Sequence, residues 1–303
     1  MPQPFQPTTA RPDDFDAYWE GAMAALAELP AAAEVSENPM RSTEFCTSYM
    51  VRLTSLGPYR IFGYLSIPKG DGPFPTLVYL SRHQSVVEVL PQGDANEKRS
   101  RYLVFSLAAR GQRNADKPYA ASFPGLFTDG IQSPQTYVFR GIVADCCRAV
   151  EYVLSRPEVD RSRVLGLVAN ELSILTCALQ PGLTHAVVTP SFLYAAMDRA
   201  PKTDAYPLEE LNDFLRLHPE RRETVARTLA YFEPLFFAPK VNIPTLLWGN
   251  AEETAPLAGA LGGQVEARES EGSRFRDGVY QEQWIARQLG FDDAILSPAW
   301  ERR

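Results

Sequence analysis

Short apolar runs alternate with helix-period segments along this chain, and that alternation most constrains its fold. Residues 75–80, 102–108, 163–168, 185–188, 243–248 and 264–269 have strand length, and most are rich in Val, Leu and Tyr. Between and after them, residues 136–155, 172–179 and 279–289 carry helical periodicity. An amphipathic helix is expected over 13–29, with Phe15, Tyr18, Trp19, Met23 and Leu26 on one face. Residues 48–54 and 59–67 alternate in polarity and read as an antiparallel pair joined by Ser55-Leu56-Gly57-Pro58. Strands that are apolar throughout are covered on both sides. The expectation is an α/β protein with a mostly parallel central sheet, helices on both faces and an N-terminal helix. Residues 190–237 are mainly helical and polar and interrupt the alternation, so they read as an insertion or cap within one domain spanning 1–303. Residues 113–135 read as loop.

Composition narrows the function. A net charge of −7 with acid and base interspersed leaves no electrostatic footprint for nucleic acid or anionic lipid. No apolar run reaches bilayer length. Residues 1–13 lack the basic and apolar regions of a secretory signal. Cys46, Cys146, Cys147 and Cys177 show no zinc spacing and read as reduced thiols, which together with the leader-free start points to the cytoplasm. No metal or cofactor motif is present, so the expected partner is a small molecule.

A turn-rich approach at 157–162 leads into the strand 163–168, then Ala169-Asn170-Glu171, then the helix from Leu172. Such a strand–turn–helix carries the G-x-S-x-G nucleophile in α/β-hydrolases. Here Asn170 stands at the tip, and Val168 and Leu172 stand where the glycines would be.

Five further stretches, in order, resemble carbohydrate esterase family 7, the acetyl xylan esterases and cephalosporin C deacetylases. They are Arg11-Pro12-Asp13-Asp14-Phe15-Asp16-Ala17-Tyr18-Trp19, Arg60-Ile61-Phe62-Gly63-Tyr64-Leu65, Arg110-Gly111-Gln112, Tyr137-Val138-Phe139-Arg140-Gly141 with Asp145, Arg148, Ala149 and Glu151, and Thr228-Leu229-Ala230-Tyr231-Phe232. The resemblance implies an α/β-hydrolase fold with the insertion before the acid strand, homo-oligomeric assembly, and a structural role for Arg110, Gly111 and Gln112. It also implies positions for a catalytic set. The nucleophile falls on Asn170, the acid near Glu252, the histidine on Gly272-Ser273 and the oxyanion-loop tyrosine on Arg82. The only histidines, His83, His185 and His218, precede Glu252, whereas the fold's order is serine, acid, histidine.

A serine nucleophile needs a base within hydrogen-bond reach. The expectation is therefore a degenerate triad. His83, Glu252, Asn170 and Glu171 are candidates for acid–base work in a rewired site, with Arg82, Ser273 and Arg274 as candidates for substrate binding. Each has a bland counterpart: a bystander loop histidine, a surface ion pair, a structural elbow amide, a helix-terminal acid and a solvated loop. Ser173 lacks a base, His185 reads as a core histidine, His218 as a surface one, and Tyr231, Phe232, Phe236 and Phe237 as packing of the insertion on the body. Three functions compete. The first is an enzyme repurposed for dehydration, elimination, cyclisation or isomerisation of a small metabolite. The second is a non-catalytic ligand-binding or scaffold pseudoenzyme, and the third an ester hydrolase that activates water without an acyl-enzyme.

Overall fold

The computed structural model describes residues 5–83, 96–112, 115, 121–168 and 170–296. Ala169 and parts of the 1–13 and 113–135 readings lie outside the described residues.

One nine-stranded sheet organises these residues in the order β1-β2-β3-β5-β4-β6-β7-β8-β9. Its strands are β1 (Glu34–Glu37), β2 (Cys46–Ser55), β3 (Tyr59–Pro68), β4 (Phe74–Tyr79), β5 (Leu103–Ala108), β6 (Val159–Val168), β7 (His185–Val188), β8 (Thr245–Trp248) and β9 (Val265–Arg268). Pairing is antiparallel from β1 through β2 and β3 to β5, and parallel from β5 across to β9. The hairpin turns where expected, with Ser55 opposite Tyr59. Among the strands, β1 and β6 depart most from the sequence reading. β1 is an edge strand whose four residues are all exposed, so no apolar alternation marks it. β6 begins at Val159, because the charged approach pairs with Phe74 of β4 across a register shift.

The helices are α1 (Phe15–Ala27), the single turn α2 (Asn96–Arg99), α3 (Val138–Leu154), α4 (Leu172–Leu179), the single turn α5 (Ala196–Arg199), α6 (Leu208–Leu217), α7 (Arg222–Ala230), α8 (Ala251–Ala260) and α9 (Arg274–Gln288). None of those described is long and apolar enough to cross a membrane. Successive strand residues serve opposite faces. Val164 and Val168 join the core containing α1, α3 and α4, while Leu165 and Leu167 join Trp284, Ile285 and Leu289 of the α9 layer. This two-sided burial is why the strands read as continuous apolar runs.

Two arginines lock the layers. Arg148 is buried and donates to the carbonyls of Leu26 and Leu29, both at 2.6 Å, where α1 ends. It adds a charged donor at the end of the helix, where the Leu26 carbonyl also accepts from the Leu29 amide at 3.1 Å. Arg110, just past β5, donates from Nε and Nη2 to Asp145 of α3 at 2.9 and 2.8 Å, and from Nη2 to the Leu56 carbonyl at 2.8 Å. A Cβ at residue 141 would lie 2.2 Å from Arg110 Nη1, so Gly141 makes this approach possible. Gly111 holds φ +90°, and the buried Gln112 accepts from the Ala109 amide at 3.1 Å through Oε1. The insertion docks on α1: Trp19 donates to the Tyr231 carbonyl at 2.8 Å, and Phe15 meets Phe237 edge-on at 4.9 Å.

Asp145 is fully buried, so its removal strands the Arg110 guanidinium. The prediction is that Asp145→Ala lowers stability by about 3–5 kcal/mol, read as a reduced urea midpoint. A change below about 1 kcal/mol contradicts this account of the lock.

Candidate functional site

The carboxyl ends of β4, β6, β7 and β8 share one edge of the sheet, where open parallel sheets hold ligands. Between β6 and α4, Asn170 is only 1% exposed, and its amide is used on both sides. Nδ2 donates to the Ser81 carbonyl at 2.9 Å, and Oδ1 accepts from the Leu172 amide at 2.9 Å. The side chain therefore ties the turn after β4 to the start of α4. Of the two roles the sequence offers Asn170, a pocket amide or a structural elbow, these bonds are those of the elbow.

Glu171, next in the chain, is also fully buried. Its Oε1 accepts from the backbone amides of Ser191, Phe192, Leu193 and Tyr194, at 2.7, 2.9, 3.0 and 3.1 Å. The next amide, that of Ala195, donates at 2.8 Å to Glu233, which is likewise buried. Five consecutive amides thus end on two carboxylates, and Ala195 holds a left-handed φ of 48° at the last of them. Burial pushes the Glu171 carboxyl above its ordinary range, against the pull of those amides. Burial pushes Glu233 up to about 8, opposed by the Ala195 and Leu235 amides and reinforced by the nearby Glu171 and Asp198 charges. Read as a catalytic candidate, Glu171 instead holds a loop.

His83 follows the turn after β4. Its ring lies between Phe127, Phe139 and Phe192, with centroids at 6.4, 6.3 and 5.3 Å. Nε2 is 2.9 Å from Oε1 of Glu210, while Nδ1 is buried and has no hydrogen-bond partner among the described residues. Glu210 comes from α6 in the insertion and is 2% exposed. Its Oε2 accepts from the Phe127 amide at 2.6 Å, and Tyr137 steadies that segment by donating to the Phe127 carbonyl at 2.9 Å. A Cβ at residue 125 would lie 2.4 Å from Glu210 Oε2, so a side chain in place of Gly125 would displace that carboxylate. Glu210 was missed from sequence because residues 190–237 read as a polar cap. One signal was available: Glu210 lies on the buried face of α6 with Leu211 and Phe214.

The structure brings Asn170, Glu171 and His83 into one patch, through Ser81 on one side and Phe192 on the other. The remaining candidates lie elsewhere. Glu252 is exposed in the first turn of α8, which Asn250 caps by accepting from the Glu252 and Glu253 amides. Glu252 lines a separate cavity of about 540 Å³ with Ser191, Arg199 and Lys202. Ser273 caps α9 by accepting from the Arg276 amide at 3.4 Å, and Arg274 beside it is exposed. Arg82 has an exposed side chain, and its carbonyl accepts from Gln112 at 3.5 Å. His185 meets Thr184 at 2.9 Å, and burial lowers its pKa. Among the described residues no cluster of three or more His, Cys, Asp or Glu side chains is arranged for a metal ion.

Residues 3–256 match the family model of acetyl xylan esterase (AXE1). Acetyl esterase Axe7A of Xylanibacter ruminicola is 23% identical over 270 residues, 84% of this chain. The chain spans 60% of that relative's length. The acetyl xylan esterase from Paenibacillus sp. R4 superposes with a TM-score of 0.79 at 24% identity, covering 93% of this chain and 96% of that one. Acetyl xylan esterase 1 from Thermoanaerobacterium sp. JW/SL YS485 superposes with a TM-score of 0.80 at 21% identity, covering 94% and 96%. The architecture is the α/β-hydrolase fold.

Two predictions follow from the buried polar groups. Asn170→Ala leaves the Ser81 carbonyl and the Leu172 amide unpaired and costs about 1–3 kcal/mol in chemical denaturation; an unchanged midpoint refutes the tie. The second concerns pH. Folded Glu233 titrates near 8 and an unfolded glutamate near 4.5, so between these values the folded state holds more protons. Stability therefore falls as pH rises through that window, and Glu171 acts in the same direction. In thermal melts from pH 5 to 8, Glu233→Gln is expected to flatten the slope; a slope identical to the parent's contradicts the assignment.

Proposed function

This chain belongs to the acetyl xylan esterase (AXE1) family, and on that premise we propose that it carries out acid–base chemistry at His83 in place of serine-ester hydrolysis. An asparagine at the turn between β6 and α4 supplies no acyl-transfer nucleophile, and no histidine follows Glu252 in the chain. The observation that carries the proposal is the state of the His83 ring. Its Nε2 is held at 2.9 Å by a buried carboxylate, and its Nδ1 is buried with no described partner. An imidazole pinned by a carboxylate at one nitrogen and unpartnered at the other has the donor–acceptor arrangement of a general base. With its proton on Nε2 facing Glu210, the ring offers the Nδ1 lone pair as a base. Glu210 stabilises the imidazolium that forms, and the proton then returns to the substrate. Such a cycle serves dehydration, elimination, cyclisation or isomerisation of a small metabolite, and none of these requires a nucleophile. His83 is the acid–base group, Glu210 its positioning residue, and Asn170 and Glu171 shape the surrounding loops.

A second reading is a ligand-binding or scaffold protein. It is favoured by the Asn170 amide and the Glu171 Oε1, both of which are committed to backbone groups.

Two assays decide. With p-nitrophenyl acetate, the parent and Asn170→Ser are expected to show no hydrolysis above buffer. Hydrolysis by the parent that disappears in Asn170→Ala overturns the proposal, and hydrolysis that survives Asn170→Ala but fails in His83→Gln supports water activation instead. With a metabolite extract followed by mass spectrometry, the parent is expected to convert a component to an isomer or a dehydrated product. His83→Gln should slow this conversion by about 10²–10⁴-fold. Glu210→Gln should lower the rate and shift its pH profile. No conversion by the parent transfers the protein to the binding reading.

A further inference from the structure

The cavity beside Glu252 has a charge arrangement of its own. It has a volume of about 540 Å³ and is walled by the loops after β7 and β8 and by the start of the insertion. That volume lies within the usual range for small-molecule sites. Four of its lining side chains are charged: Arg199, Lys202, Glu252 and Glu253. Arg199 and Glu253 pair with each other through Nε and Oε1, and Tyr194 fixes the pair by donating to the Glu253 carbonyl at 2.9 Å. Lys202 and Glu252 are different. Lys202 lies over the Phe5 ring at 5.3 Å from its centroid, and among the described residues neither Lys202 nor the Glu252 carboxylate enters an ion pair. The cavity thus presents one uncommitted cation and one uncommitted anion, on a frame that neutralises its other two charges.

We propose that this cavity binds a small zwitterion, an α-amino acid or a ligand with the same ammonium and carboxylate head group. The carboxylate would meet Lys202 and the ammonium Glu252, so both charges gain a partner in one event. A phosphate satisfies only Lys202 and faces two carboxylates, and a neutral sugar leaves both charges unpaired. The rings of Phe5 and Tyr206 line the same cavity and offer apolar cover for a side chain. The site adjoins the His83 patch through Ser191, which precedes Phe192, and through Leu208, which opens the helix carrying Glu210. Binding there needs no contribution from His83, so the inference goes beyond the proposed function.

The test is calorimetric titration of the full chain with each standard L-amino acid, alongside xylose and inorganic phosphate. At least one amino acid is expected to bind with a Kd of about 1 mM or tighter, and its N-acetyl and amide derivatives at least tenfold more weakly. Lys202→Met and Glu252→Gln should each weaken binding by about tenfold. Both side chains are exposed, and circular dichroism of each variant establishes that it is folded. His83→Gln should bind as the parent does, so loss of turnover with retained affinity separates this site from the acid–base proposal. Three results overturn the inference: no amino acid binds, binding persists unchanged in both charge variants, or xylose or phosphate binds with the Lys202 and Glu252 dependence that amino acids lack.

Discussion

The site depends on two carboxylates buried under one loop. Residues 191–195 run through the interior without joining the sheet, and a buried backbone with unpaired amides is costly. Glu171 and Glu233 accept all five of those amides. Because the loop is fixed, Phe192 packs beside His83, Ser191 faces the neighbouring cavity, and the Tyr194 hydroxyl reaches α8. Two carboxylates that donate nothing to a ligand thus position three groups that border one. Their burial also sets the direction in which pH acts on the fold.

The sheet and the insertion meet at a second polar junction. His83 comes from the turn after β4, Glu210 from α6, and the amide that completes the carboxylate's bonding from Phe127. The Asn170 amide joins the same turn to α4. These bonds are buried or partly buried, and the His83 ring lies among Phe127, Phe139 and Phe192, where the low local dielectric strengthens a satisfied hydrogen bond and penalises an unsatisfied one. The Nδ1 of His83 is an exception within that network, which is why it draws attention as a place for an incoming proton or ligand.

Much of the fold was legible because burial on both faces leaves a mark on the side chains. β7 and α4 fall on the expected residues, and β3, β4 and β5 within one residue at either end. β1 was not legible, since an exposed edge strand is held by backbone pairing that no side chain reports. α8 was hidden by Pro256 and Gly259, which normally argue against a helix. In the site, His83 was legible as a histidine just beyond a strand end. Glu210 was not, because its partner lies 127 residues away and the 190–237 stretch around it is polar as a whole. The role of Glu171 was invisible for a different reason: its partners are amides, and the side chains of Phe192, Leu193 and Tyr194 carry no trace of them. The family relationship was legible through five ordered motifs, most of which lie in structural positions such as Arg110 and Arg148.

The junction at Glu210 has a kinetic side. It joins segments separated by 127 and 83 residues, and the Asn170 tie spans 89. Loop-closure entropy makes such distant contacts slow to form, after the local helices and the β2–β3 hairpin. The patch around His83 therefore rests on contacts whose closure costs more chain entropy than that of the local β2–β3 hairpin.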